Sequence, residues 1–415
     1  MKTNIIYACK YKLIGIDSLL PLLMEIKVRL DNVNIIILYP DLETYYGIKK
    51  NNHIWKVLVN ILNQRKIILR YRIEKKTLLS LMSKVRSAVS LVLLVFIMMF
   101  RKNILIKTSD VIPWHNKFVT FIKKISSTVE VYVFTLGLTS EHHALQQIGH
   151  NLNHERMIKE KTSSDPKIDK EWGKIYEKYD YFISSNPLKI LKKVYDIDVD
   201  EKRHIQIGYP RKLPRWYSYV EKEAANSRFK NQRCFVFFLS GVTDQKRYPM
   251  HDEPFYSELI MEVLLVLKKY TSIIKTIFKP HIVTDINKMK EMLNEINYQN
   301  YEISYDHPMI LSYNAEFVLG ISYSTVFFDT YFLGKPIVLY TQYDPKLFQL
   351  LGGKSEGGEA CDFFIHRDAK QLDTTIKRLT SSKVEITRDA EFMKTNFPDT
   401  SPEFWRFWKN VVDKK

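Results

Sequence analysis

Glu141, His142 and His143 stand together just past a β-prone run, Glu130-Val-Tyr-Val-Phe-Thr135, and the turn pair Leu136-Gly137. A carboxylate or imidazole beyond the carboxyl end of a parallel strand is placed to take a proton near neutral pH. The same three residues also read as a plain solvated loop. A second group combines hydroxyls: Ser322, Ser324 and Thr325, ahead of Asp329. Hydroxyls where a strand turns into a helix can cap that helix, or can join its free N–H groups in holding a phosphate. A third group, Lys279-Pro280-His281, ends another β-prone run and offers a cation and an imidazole side by side. His150 and His154 continue the first cluster, but their spacing matches no metal motif.

These groups need a frame. The stretch from Phe317 to Tyr340 reads as strand (Phe317 to Ile321), hydroxyl turn, short helix ended by Gly334, and strand (Ile337 to Tyr340). That order belongs to a parallel α/β layer. Residues 4–8, 34–39, 66–72, 103–108 and 130–135 read as strands, with a helix over 16–30 between the first two. Tyr181 to Asn186 and the run His204-Ile-Gln-Ile before Gly208 continue the series. The polar stretch 217–233 marks a domain boundary. A second set begins with Cys234 to Leu239, whose following loop opens on Ser240. It continues with a helix over 256–270, a strand from Ile273 to Phe278 and a helix over 286–296. Phe404 to Val412 is an aromatic amphipathic helix expected to pack on a domain. The expected architecture is α/β, with Rossmann-like domains at 1–225 and 226–400 and a C-terminal helix over 401–415.

At 415 residues the chain is long enough for two ordinary domains, and 45% hydrophobic with 26% charged residues is the composition of a globular protein. Three scattered cysteines (Cys9, Cys234, Cys361) and no CxxC pair argue against a disulfide framework or a structural zinc site. The first residues read as a strand rather than a signal peptide, because Lys10 and Lys12 interrupt them. Residues 1–130 hold 22 Lys/Arg against 8 Asp/Glu, most of the net +17. Such a field attracts polyanions or anionic membranes, and it also suits a merely solvated basic surface. The most apolar run, Ala88 to Phe100, is too short to span a bilayer. A buried core helix is expected there, with an in-plane membrane helix flanked by Lys84, Arg86, Arg101 and Lys102 as the alternative.

Three motifs in chain order carry a resemblance. Gly208-Tyr-Pro-Arg211 resembles the Gly-x-Pro-Arg element of CDP-glycerol glycerophosphotransferases. Lys279-Pro-His281 resembles their basic-Pro-His element and the His-Pro motif of bacterial sialyl- and polysialyltransferases. Ser322-Tyr-Ser-Thr325, with Asp329 and Gly334-Lys-Pro336, is similar to their Ser motif, acidic residue and Gly-Lys-Pro. The chain departs in two places: Ile282 follows His281 where a proline is usual, and the expected His-Gly pair of the first half is replaced by Leu136-Gly137 with Glu141-His142-His143.

The resemblance implies a GT-B glycosyltransferase that needs no metal and no cofactor. Lys279, His281, Ser322, Ser324 and Thr325 would surround the donor phosphate, with Asp329, Arg211 and Ser240 nearby, and Glu141, His142 or His143 would serve as base. It also implies a CMP- or CDP-activated donor, such as a sialic-acid-like sugar or a polyol phosphate. The acceptor would be a capsule-type or lipopolysaccharide-type glycan or a lipid-linked acceptor, handled in the cytoplasm at the inner face of an anionic membrane. A 2-epimerase-like enzyme on the same scaffold is one alternative, although few carboxylates stand at strand ends in the second half. A basic nucleic-acid-binding protein is the other, but no motif with aromatics set among Lys/Arg is present, so nucleic acid is not an expected partner.

Overall fold

The computed structural model describes residues 2–9, 13–30, 32–70, 78–108, 113–126, 128–134, 179–185, 188, 200–239, 256–281, 284–321, 324–343, 345–355, 360–382 and 384–413. The chain forms two compact units. The first gathers Met1–Leu138, Asp165–Tyr217 and Pro398–Lys415, and the second is built on Ser218–Phe397.

Unit 1 holds β1 (Thr3–Ala8), β2 (Val33–Asp41), β3 (Arg65–Arg70), β4 (Asn103–Thr108), β5 (Val129–Phe134), β6 (Tyr181–Ser184) and β7 (His204–Gln206). They form one parallel sheet in the order β3-β2-β1-β4-β5-β6-β7. Every residue of β1 and β4 is buried, as strands covered on both faces require. The buried amides of the central strands satisfy one another: Asn4 donates to Asn103 at 2.9 Å, and Asn34 donates to Asn4 at 3.2 Å. Between the strands run α1 (Leu13–Arg29), α2 (Leu42–Lys50), α3 (Asn52–Lys56), α4 (Leu78–Phe100) and α5 (Pro113–Ile125).

The expectation of a buried helix at Ala88–Phe100 is corrected by α4. It is a helix, but among its described side chains Leu94 and Met98 alone are fully buried, while Val89, Val92, Phe96 and Met99 are exposed. An apolar run specifies a helix without specifying which of its sides is buried.

Unit 2 follows α6 (Pro214–Ala225), inside which the division falls. Its strands are β8 (Cys234–Leu239), β9 (Lys275–Pro280), β10 (Tyr301–Ile303), β11 (Val318–Gly320), β12 (Ile337–Thr341) and β13 (Phe363–His366). They form a parallel sheet ordered β10-β9-β8-β11-β12-β13. Its helices are α7 (Tyr256–Lys268), α8 (Ile286–Glu295), α9 (Pro308–Asn314), α10 (Val326–Phe332), α11 (Pro345–Leu350), α12 (Ala369–Ser381) and α13 (Ala390–Asn396). Asp285 and Asp368 cap α8 and α12 by accepting from backbone N–H groups of the first turn. A core of Phe237, Leu264, Phe278, Leu319 and Ile376, among others, joins sheet and helices.

The last segment returns to unit 1 as α14 (Pro402–Asp413). Trp408 is fully buried with its ring 5.4 Å from Tyr132, Phe407 meets Tyr181 edge-on at 4.9 Å, and Arg29 lies 4.5 Å over Trp405. The aromatic stripe of this helix thus packs on a domain, as its sequence leads one to expect. Gly208 is what lets the chain return so closely. Its φ is +83°, and a Cβ there would sit 2.5 Å from the Pro398 carbonyl oxygen. Tyr209 N–H donates to that same oxygen at 2.9 Å.

Candidate functional site

In an open parallel sheet, ligands are met beyond the carboxyl ends of the strands where the strand order reverses. In unit 2 that point lies between β8 and β11, since β9 and β10 extend one way from β8 while β11, β12 and β13 extend the other. Four candidate residues share this edge. Lys279 and His281 end β9, and Ser324 and Thr325 lie between β11 and α10. With β8 between them, β9 and β11 are about 10 Å apart, at ~4.8 Å per strand.

The local structure shows why each residue is held there. His281 N–H donates to the Leu239 carbonyl at 3.0 Å and to the Thr284 hydroxyl at 2.9 Å, and Thr284 N–H returns a bond to the His281 carbonyl. This small closed turn fixes the backbone at the strand end and leaves the His281 side chain exposed. Lys279 is half-buried, and its ammonium donates to the Pro280 carbonyl at 3.2 Å. At the opposite side, Ser324 and Thr325 turn the chain into α10 through their carbonyls, which accept from Phe327 and Phe328 N–H. Thr325 occupies the capping position without a capping bond from its side chain. Neither hydroxyl has a hydrogen-bond partner among the described residues. The capping role open to them on sequence grounds is therefore not the one these two take.

The remaining candidates are distributed differently. Asp329 is buried in the first turn of α10. Arg211 belongs to unit 1, where its guanidinium pairs with Asp17 at 2.6 Å and lies 5.3 Å over the Trp216 ring. With Lys212 paired to Asp399 and Gly208 against Pro398, the Gly208–Lys212 element ties the returning segment to α1 within unit 1. Glu141, His142, His143, Ser240 and Ser322 lie outside the described residues. His307, which directly precedes Pro308, caps α9, its Nδ1 accepting from Met309 N–H at 3.2 Å.

One feature of this edge is not foreshadowed by any motif. At the carboxyl ends of β12 and β13 lies a pocket of about 510 Å³ lined by Gln342, Tyr343, Phe348, Gly352, Gly353 and His366, among others. Phe348 stacks on His366 with centroids 4.2 Å apart and planes at 18°. Tyr343 N–H donates to His366 Nε2 at 3.0 Å, which leaves the proton of the neutral ring on Nδ1. Behind it, Arg367 donates to Glu262 and Gln342 and adopts φ +43°, a conformation rare for a residue with a side chain. Such a flat aromatic slot suits a planar ring. Its sequence signals were the Tyr343, Phe348 and His366 rings beside strand ends and the Gly352-Gly353 pair. Among the described residues, no cluster of His, Cys, Asp or Glu forms that could hold a metal ion.

Two parallel Rossmann-like sheets, with a last helix returning to the first unit, define the GT-B fold. Solved structures with this fold match along the whole chain. They include a UGT transferase from Siraitia grosvenorii in complex with UDP, 11% identical over 99% of this chain and 100% of that one, with a TM-score of 0.53. Another is UGT2 of Phytolacca americana with UDP-2-fluoro-glucose and pterostilbene, 11% identical over 99% and 95% at a TM-score of 0.50. The wall teichoic acid polymerase TagF is 13% identical over 99% and 88%, with a TM-score of 0.49. No family model and no curated protein sequence matches the chain.

Proposed function

We propose that the chain is a glycosyltransferase whose unit 2 binds a nucleotide-activated donor and whose unit 1 receives the acceptor. The observation that carries the proposal is the pair of hydroxyls, Ser324 and Thr325, without a hydrogen-bond partner among the described residues, on the same sheet edge as Lys279 and His281, at the reversal of strand order. The GT-B fold supports it, because solved proteins sharing that fold are described with UDP and UDP-2-fluoro-glucose.

In the proposed reaction, the acceptor hydroxyl oxygen forms a bond to the donor's transferred carbon (or phosphorus) as the bond to the nucleotide phosphate breaks. The acceptor proton passes to a base supplied by Glu141, His142 or His143. Negative charge collects on the departing phosphate. The Ser324 and Thr325 hydroxyls, the Lys279 ammonium and the His281 imidazole offset it by hydrogen bonds and charge, which count for more in a site that excludes water. The aromatic slot by Tyr343, Phe348 and His366 has the shape to take the planar base.

We further propose a CMP- or CDP-activated donor carrying a sialic-acid-like sugar or a polyol phosphate. The acceptor would be a surface glycan or lipid-linked acceptor at the inner face of an anionic membrane, which the basic excess of residues 1–130 favours. The test is release of free nucleotide from a panel of CMP-, CDP-, UDP- and GDP-activated donors, with and without glycan acceptors. Acceptor-dependent release that falls at least tenfold in Lys279→Ala and Glu141→Gln is the expected result. Conversion of the donor sugar without any acceptor would instead point to an epimerase. A parent protein inactive on every donor would contradict the transferase reading.

A further inference from the structure

We propose that the outward face of α4 docks on an anionic lipid bilayer, the helix lying in the plane of the headgroups. Val85, Val89, Val92, Phe96 and Met99 are between 56% and 68% exposed, while Leu94 and Met98 on the opposite side are fully buried. The exposed five recur at spacings of four and three, which at about 100° per residue aligns them in one stripe along the helix. Beside α4, α5 adds the exposed ring of Phe121. A continuous apolar stripe of this size is unusual on a protein that meets only water.

Charge decides what covers it. Lys84 and Arg86, both exposed, lie about 100° to either side of Val85 and so border the stripe on both flanks. Arg101 and Lys102 follow its far end, and neither α4 nor α5 contains an Asp or Glu. Packing against α4 of a second copy would bring cations against cations in either orientation, with no acid on the helix to neutralise them. Anionic headgroups neutralise the exposed Lys84, Arg86 and Arg101 at once, while the Lys102 ammonium is held by the Val411 carbonyl. Among the described residues no helix is long and apolar enough to cross a membrane, so the face docks along the surface. The inference deepens the membrane-side part of the proposed function and rests on that reading only for its biological sense. Vesicle binding without nucleotide binding keeps this inference and contradicts the transferase.

The experiment is co-sedimentation of the full chain with phosphatidylcholine vesicles, with and without phosphatidylglycerol. Strong binding to the phosphatidylglycerol vesicles, weakened by salt, is expected. Each basic residue at an anionic surface contributes ~1 kcal/mol, so Lys84→Gln with Arg86→Gln should lower the partition coefficient about 30-fold. Val92→Asp with Phe96→Asp should abolish binding with no change in circular dichroism. Phe96→Trp keeps the face apolar and should shift its emission to the blue only with anionic vesicles. No binding, no shift, or binding unchanged by both double substitutions overturns the proposal. So does a lipid-free dimer that Val92→Asp with Phe96→Asp dissociates, which would make a second copy the occupant.

Discussion

Replacing Gly208 with alanine tests how the chain closes back on unit 1. At φ +83° a side chain costs roughly 1–2 kcal/mol in backbone strain alone. The new Cβ would also lie 2.5 Å from the Pro398 oxygen and 2.9 Å from the Asp399 carbonyl carbon and oxygen. These are backbone atoms, so the returning segment must move. That movement lengthens the bond from Tyr209 N–H to the Pro398 oxygen, now 2.9 Å and worth about 1 kcal/mol. The Lys212–Asp399 pair, with Asp399 largely exposed, adds little. The expected loss is therefore about 2–4 kcal/mol. Gly47 is the control, because it lies in α2 and an added methyl group would meet nothing within 4 Å, so Gly47→Ala should stabilise by roughly 0.5–1 kcal/mol. Urea unfolding followed by tryptophan fluorescence reads both, α14 carrying Trp405 and Trp408. A Gly208→Ala protein as stable as the parent would refute the close approach, and with it this account of the Gly-Tyr-Pro-Arg element.

Trp408→Ala should cost about 3–5 kcal/mol and loosen α14 first, which hydrogen exchange across 402–413 would follow. Ser324→Ala should leave stability within ~0.5 kcal/mol, because the hydroxyl has no partner to lose among the described residues. If that hydroxyl donates to a charged phosphate, the same substitution lowers nucleotide affinity about tenfold or more by calorimetry. Burial pushes the Cys234 thiol up to about 11 and the Cys361 thiol up to about 12, and holds Cys9 well above its ordinary value. Their folded pKa values exceed the unfolded one, so the stability they contribute is complete below pH ~8.5 and is lost as pH rises through the folded values. A disulfide reagent at pH 8 should therefore leave the buried Cys9 and Cys234 untouched in the folded protein, react only slowly with the half-buried Cys361, and titrate all three in urea.

Much of the frame was legible because strands buried on both faces are written as nearly unbroken apolar runs, as in Ile5-Ile-Tyr-Ala8 and Cys234-Phe-Val-Phe-Phe-Leu239. The helix at Ala88–Phe100 was legible as a helix but not as a surface one, since hydrophobicity records a preference for burial and not which face is buried. The hydroxyls at Ser324 and Thr325 were visible, but whether they cap or stay open depends on backbone geometry around α10 that spacing does not encode. The slot at Tyr343, Phe348 and His366 draws on two strand ends and a helix, so its rings and the Gly352-Gly353 pair are visible in the sequence while their convergence on one pocket is not. Gly208-Tyr-Pro-Arg211 stands out for its likeness to a transferase element, while the reason for its glycine lies 190 residues away, at Pro398.

The most direct test of the central claim is thermal stabilisation of the protein by CMP, CDP, UDP, GDP and ADP, repeated on Ser324→Ala. A nucleotide at 100 times its dissociation constant adds about 2.7 kcal/mol, a readable shift in melting temperature. The account predicts stabilisation by at least one nucleotide, CMP or CDP foremost, and a smaller shift at the same concentration in the variant. Indifference to all five nucleotides, or a shift that Ser324→Ala leaves untouched, would contradict a donor site on the unit 2 sheet edge.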